Sequence, residues 1–247
     1  MNSLVIFGLL AVLMLTGMPI SISLGLTVLT FLFTMTQVPL ESVALKLFTG
    51  IEKFEIMAIP FFILAGNFLT HGGVAKRMIN FATSMVGHWY GGLGLAGVLA
   101  CALFAAVSGS SPATVVAIGS ILLPAMVKAG FPNKFGAGVI ATSGALGILI
   151  PPSIVMVMYS VATNTSVGAL FMAGVMPGIA LALTLGGVTW YRAKKFNYPR
   201  QPKATWGERW QAFRKSVWGL LLIVVVMGGI YTGIFTPTEA AAMSAVY

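Results

Sequence analysis

The chain has 247 residues, of which 14 are Lys or Arg, five are Glu and none is Asp. Charged residues make up 8% and hydrophobic residues 58%, against about 25% charged in an average soluble domain. So few charges cannot cover a soluble globule of this size. The composition excludes a cytosolic enzyme, a disordered chain and a nucleic-acid-binding domain, and points to a polytopic protein held in a lipid bilayer.

Charge-free stretches cover residues 1–40, 56–75, 78–127, 135–191 and 216–238. A bilayer core about 30 Å thick takes roughly 20 apolar residues per helix. The stretches, 40, 20, 50, 57 and 23 residues long, hold one or two, one, two, two and one crossings. The expected fold class is therefore all-α and polytopic, with seven or eight membrane segments. The ten-residue alternation that barrel strands need is missing.

The first stretch is too long for one straight crossing, and Gly17-Met18-Pro19 is the point at which it can divide. It lacks a basic leading region and a small-residue cleavage site, so it reads as a retained segment and not a signal peptide. Eight of the 14 basic residues lie between Arg192 and Lys215, opposed only by Glu208. Under the positive-inside rule this loop is cytoplasmic. Counting outward from it puts Lys128, Lys134, Lys76 and Arg77 on the same side. Glu41–Glu55, with three Glu against two Lys, then faces outward.

The 78–127 stretch must therefore enter and return. Met78–Tyr90 ends in His88, Trp89 and Tyr90, residue types of the membrane interface. Two apolar arms follow, about Leu93–Val107 and Pro112–Val127, each about 24 Å long as helix. Between them lie Ser108, Gly109, Ser110, Ser111, Pro112, Ala113 and Thr114. A polar, glycine-containing tip between short arms fits a re-entrant hairpin, whose irregular backbone must be buried in protein or line a wet cavity. Two ordinary crossings joined by an outer turn are the alternative.

A second break runs from Ala141 to Ser153, through Thr142, Ser143, Gly144, Gly147, Pro151 and Pro152. The prolines disfavour regular helix there. A discontinuous membrane helix with an unwound middle is expected, against the alternative of a simple proline kink. Transport sites form at the midplane where broken helices meet. Helix N-termini suit a carboxylate, while unwound carbonyls and hydroxyls suit Na⁺. Ser111 before Pro112 reads as an N-cap with proline at the first helical position. Thr236-Pro237-Thr238-Glu239 reads as a capping box. Asn67 reads as a hydrogen-bonding partner between helices rather than a ligand. Cys101 reads as a small packing residue, and His71 and His88 as interfacial, with no metal motif. Ala106-Val107-Ser108-Gly109 resembles the serine motif of rhomboid-type proteases, but its first Gly is missing and no His follows Ser108. A serine nucleophile needs such a base, so no enzyme is expected.

Four longer segments carry a specific resemblance: IPFFILAGNFLTHGGVAKRMINFA (59–82), LACALFAAVSGSSPATVVAIGSILLPAMVKAGF (99–131), SGALGILIPPSIVMVMYS (143–160) and GIFTPTEAAA (233–242). In collinear order they resemble the large membrane subunit of tripartite ATP-independent periplasmic (TRAP) transporters, the DctM-like family. The resemblance implies a bacterial inner-membrane secondary transporter for an organic acid, with a C4-dicarboxylate as default and sugar acids open. It implies Na⁺ as coupling ion, no other cofactor, a small four-helix membrane subunit and a periplasmic solute-binding protein as partners. It also implies two inverted repeats and elevator-type movement.

On this match the sodium and substrate groups gather at Ser108, Gly109, Ser110, Ser111, Pro112 and Thr114, beside Thr142, Ser143, Gly144, Gly147, Pro151, Pro152 and Ser153, with Asn67 in a supporting place. The expected organisation is 1–75 as scaffold helices and outer arm, and 76–191 as a transport repeat holding hairpin 91–128 and broken helix 136–162. A basic loop at 192–215 and the start of a second repeat at 216–247 complete it. The family pattern continues past Tyr247, so this chain is expected to be a fragment or truncated product unable to transport alone. A non-transporting membrane scaffold that binds partner subunits is the alternative reading.

Overall fold

The computed structural model describes residues 2–36, 39, 41, 45, 48–50 and 52–247, so part of the expected outer arm at 41–55 lies outside the described residues. The chain divides into two units, residues 1–52 and 53–247. The described part of the first contains α1 (Asn2–Leu15) and α2 (Ile20–Met35). They separate where the sequence places the break. Gly17 takes φ +81°, a conformation open to glycine at little cost, and Pro19 precedes the first residue of α2. The two helices pack on each other. Ser23 and Thr27 are buried on α2, and the Thr27 hydroxyl donates to the Ser23 carbonyl at 2.7 Å.

The second unit opens with a 3₁₀ turn (Phe54–Met57). It continues with α3 (Ala58–His71), α4 (Val74–Val86), α5 (Gly92–Ser108), α6 (Ser111–Lys128), α7 (Asn133–Gly144), α8 (Leu146–Leu149) and α9 (Ile154–Thr163). The last three are α10 (Val167–Lys195), α11 (Trp206–Tyr231) and α12 (Pro237–Val246). Among the described residues every regular element is helical. Four stretches are long and apolar enough to cross a bilayer: Phe54–His71, α6, α10 and α11. A fifth is bent by 42°, α7–α8 followed by α9. Three shorter apolar helices, in α1, α2 and α5, complete the set.

Helix α5 is the centre of this unit. It packs against α3, α4, α6, α7, α8, α10 and α11, and 14 of its 17 residues are buried. A helix apolar on every side needs such surroundings. Its glycines set the spacing. A Cβ on Gly97 would lie 2.8 Å from Leu122 of α6, and one on Gly94 3.0 Å from Thr189 of α10. Cys101 is fully buried in this core.

The segment from Arg192 to Ser216 meets the start and end of α4 and the α6–α7 turn at one end of this unit. Ser216 donates to the Arg77 carbonyl at 2.9 Å. The Gln201 N–H reaches the Gly87 carbonyl at 3.0 Å. Tyr198 packs on Phe131 and Phe135, with ring centroids 5.6 and 4.7 Å away. Helix α4 therefore touches this end with both of its own ends. It buries Ala75, Met78, Ile79 and Ala82, one helical face, and leaves Lys76 and Arg77 exposed. That is the pattern of an amphipathic helix whose apolar face packs on the core. At the opposite end, Lys53 Nζ donates to Asn164 Oδ1 at 2.9 Å. There too the Thr238 hydroxyl donates to the Phe54 carbonyl at 3.2 Å.

Candidate functional site

The loop between α5 and α6 is only Gly109 and Ser110. Gly109 takes φ +61° and closes α5 by donating its N–H to the Ala105 carbonyl. The chain then reverses one residue earlier than the sequence implies. Ser110, not Ser111, is the N-cap of α6. Ser110 is extended and its hydroxyl accepts from the Ala113 N–H, so Ser111 and Pro112 are the first two helical residues. Proline is accommodated in that first turn because helix N–H groups there have no internal partner. The Ser108 and Thr114 hydroxyls lie 3.1 Å apart and both residues are fully buried. Thr114 also donates to the Ser110 carbonyl at 2.8 Å.

This tip rests on the broken helix. Gly144 ends α7, α8 adds a single turn, and Ile150 leaves it in extended conformation. Pro151, Pro152 and Ser153 are buried without helical structure, and the chain resumes at Ile154. The Ile154 N–H donates to the Gly109 carbonyl at 3.0 Å. Added Cβ atoms show how close the two segments are. One on Gly109 would lie 2.9 Å from the Pro152 carbonyl oxygen, one on Gly147 2.9 Å from the Ser111 nitrogen, and one on Gly144 2.1 Å from Val115.

The tip sits partway along the bent pair of α7–α8 and α9. Helix α6 descends from the tip to Lys128, and α7–α8 climbs from Asn133 back to the tip. Beyond the tip α9 still has ten residues to run, up to about 15 Å of helix. The tip thus ends within the depth of the bent span, well short of Thr163.

The expected site residues divide clearly. Ser108, Gly109, Ser110, Ser111, Thr114, Gly144, Gly147, Pro152 and the start of α9 are brought together by the contacts just given. Pro112 is exposed on the first turn of α6. Ser143 and Ser153 are fully buried, and their hydroxyls have no hydrogen-bond partner. Buried polar groups are ordinarily paired, so these two oxygens are available for something else. Thr142 stands apart. It is exposed, and its hydroxyl turns back on its own helix, to the Gly138 carbonyl at 2.8 Å. Asn67 is exposed on α3, and the contact with the tip is made by its neighbour. A Cβ on Gly66 would lie 3.4 Å from the Ser108 Cβ.

Three residues escaped the sequence reading. Gly66 supports the tip from α3, while Gly174 and Gly178 let α10 close on the break, with added Cβ atoms 2.7 Å from the Leu149 carbonyl oxygen and 2.9 Å from Ile150. Their signal was present: glycine inside a helix costs about 1 kcal/mol against alanine, so a helical glycine flags close approach.

The geometry brings two helix C-termini, of α5 and α8, beside two N-termini, of α6 and α9. Free carbonyls at the former carry partial negative charge and free N–H groups at the latter partial positive charge. The site can thus receive a cation and an anion without a charged side chain.

A helical hairpin seated on a broken membrane helix defines a multi-pass membrane protein with a buried polar centre. The comparisons give the class a family. The profile of the tripartite ATP-independent periplasmic transporter DctM component matches residues 7–247, and the chain belongs to that family of inner-membrane permeases. It is 77% identical over 261 aligned residues to the C4-dicarboxylate TRAP transporter large permease protein DctM of Rhodobacter capsulatus, covering 100% of this chain and 59% of the relative. The protein of the same description from Vibrio cholerae is 54% identical, over 98% of this chain and 54% of its own length. The sialic acid TRAP transporter large permease protein SiaM of Vibrio cholerae is 38% identical, over 98% of this chain and 56% of its own length. The chain therefore spans a little over half the length of these relatives.

Proposed function

We propose that this chain supplies one half of the binding centre of a sodium-coupled permease that takes up an organic acid, a C4-dicarboxylate by default. The observation that carries the reading is the seating of the hairpin tip on the break, with the Gly109 carbonyl bonded to the Ile154 N–H. In this reading Na⁺ is coordinated by oxygens at the C-terminal ends of α5 and α8 and by the unpaired hydroxyls of Ser143 and Ser153. The substrate carboxylate faces the N-termini of α6 and α9, where Ser110 and Ser111 sit. Binding both charges together neutralises the site, which couples one ligand to the other.

The dicarboxylate assignment is supported by the names of three relatives above 50% identity. The sialic acid relative, at 38%, marks the alternative acid class. A periplasmic solute-binding protein delivers the acid at the end holding Lys53, Glu55 and Asn164, and a small four-helix membrane subunit completes the assembly. The hairpin unit then shifts across the bilayer in an elevator movement.

The test is uptake of labelled succinate by the assembled transporter in proteoliposomes, with and without a Na⁺ gradient. Ser110→Ala and Ser111→Ala are expected to raise the half-saturating substrate concentration, each by about tenfold for a lost hydrogen bond to a charged group. Wild-type substrate and sodium dependence in the double variant would remove both side chains from the site.

A further inference from the structure

At the basic end, outside the hairpin centre, two cavities share a wall. One is an apolar groove of about 420 Å³ between α5 and α10, lined by Leu99, Leu183, Gly187, Trp89 and Trp190 among others. The other, about 370 Å³, is lined by the same two tryptophans together with His88, Tyr90 and Arg200. The Arg200 guanidinium lies over the Tyr90 ring at 3.9 Å, and Lys194 Nζ stands 5.1 Å from the Trp190 ring centre. Such stacking holds a cation in place without neutralising it.

The histidine adds a buried donor. Trp89 Nε1 lies 3.0 Å from His88 Nε2. An indole N–H can only donate, so Nε2 accepts and the neutral ring carries its hydrogen on Nδ1. Nδ1 is buried with no partner. Arg200 thus lines a cavity whose two tryptophans also line the apolar groove, with Lys194 over one of those rings and an unpartnered N–H on His88.

We propose that this double cavity is a binding site for one anionic phospholipid. The phosphodiester would occupy the compartment of His88 and Arg200, and an acyl chain the groove along Gly187. Charge complementarity favours this occupant over a neutral lipid. The basic loop from Arg192 to Lys215 places the site at the interface where anionic headgroups accumulate. The groove favours a lipid over free phosphate, which would leave the apolar half empty.

The experiment is native mass spectrometry of the full 247-residue chain released from nanodiscs of equal phosphatidylglycerol and phosphatidylcholine. Phosphatidylglycerol is expected to be retained preferentially. Arg200→Gln is expected to weaken its retention about tenfold, the effect of one lost charged hydrogen bond. Gly187→Leu is expected to do the same by filling the groove, since nothing lies within 4 Å of a Cβ there. Arg200 is exposed, so that variant carries the test alone if Gly187→Leu melts early. Equal retention of the two lipids, or retention unchanged by Arg200→Gln, would overturn the site. So would displacement of phosphatidylglycerol by a purified protein subunit at the same residues, since the groove would then be a protein interface.

Discussion

Gly147→Ala tests the contact on which the candidate site depends. A Cβ at this position would meet backbone on every near side: Ser111 N at 2.9 Å, Ser110 C at 3.0 Å and Ser111 Cα at 3.0 Å. Ordinary contact begins near 3.4 Å, so the tip must retreat from the break by about 0.5 Å. No side chain can rotate to relieve it. Overpacking of this kind costs about 1–3 kcal/mol. The matched control is Gly138→Ala on α7, where nothing lies within 4 Å and the helix gains up to about 1 kcal/mol. Thermal unfolding in detergent should separate the two variants by several degrees, at about 2–4 °C per kcal/mol for a chain of this size. In the assembled transporter the half-saturating Na⁺ concentration should rise for Gly147→Ala and stay at wild type for Gly138→Ala. Identical melting and sodium curves for the two variants would refute the close seating of tip on break.

Thr236→Ala removes a cap in which the Thr236 hydroxyl accepts from the Glu239 N–H and the Glu239 carboxylate accepts from the Thr236 N–H at 2.8 Å. The expected loss is about 1 kcal/mol, read as a lower melting temperature with an unchanged sodium curve; wild-type melting would show the box to be idle. Gly91→Ala places a side chain at φ +68° with its Cβ 2.3 Å from that of Ala193, so size-exclusion should show an aggregated or expanded protein. A monodisperse product melting like wild type would contradict the packing of the Gly91 turn against α10. Thr142→Ala should leave sodium-driven uptake intact, because this hydroxyl is spent on its own helix. Lost sodium dependence would bring Thr142 into the site.

The membrane character and the two interruptions are visible in the sequence because both depend on local chemistry. Runs without charge mark the apolar segments, and Gly17, Gly109 and Pro151-Pro152 mark where helix cannot continue. The capping box at Thr236 is equally local. The cap forms at Ser110, one residue before the position that the local pattern favours. Ser111 before Pro112 satisfies the local pattern, but the turn at Gly109 commits the chain sooner. Thr142 and Ser143 look alike in sequence, yet a 100° step around α7 leaves one exposed and the other buried. That distinction, like the seating of Gly66, Gly174 and Gly178, depends on which helices lie alongside, and periodicity is weak in segments apolar on nearly every side.

The absence of charged side chains from the tip region follows from the same burial. A carboxylate placed among Ser108, Thr114, Ser143 and Ser153, all fully buried, would lose much of its hydration. When the site is empty it would take up a proton instead of waiting for Na⁺. Helix ends avoid that outcome. The ends of the longer helices carry up to roughly half an elementary charge that no proton can remove, and the carbonyls at the α5 and α8 C-termini are offset nearby by the α6 and α9 N-termini. On the proposed reading this half of the empty centre is therefore close to neutral, and so is this half when it holds both Na⁺ and carboxylate. A centre holding only one of them carries an uncompensated charge within the bilayer, the costly state. Movement across the membrane is then easiest for the empty or doubly occupied protein, which is the condition coupled uptake requires. Uptake that stays obligately coupled to Na⁺ across a wide pH range would agree with this account, since no titrating carboxylate sits in this half of the centre. Replacement of Na⁺ by protons as the driving ion at low pH would refute it.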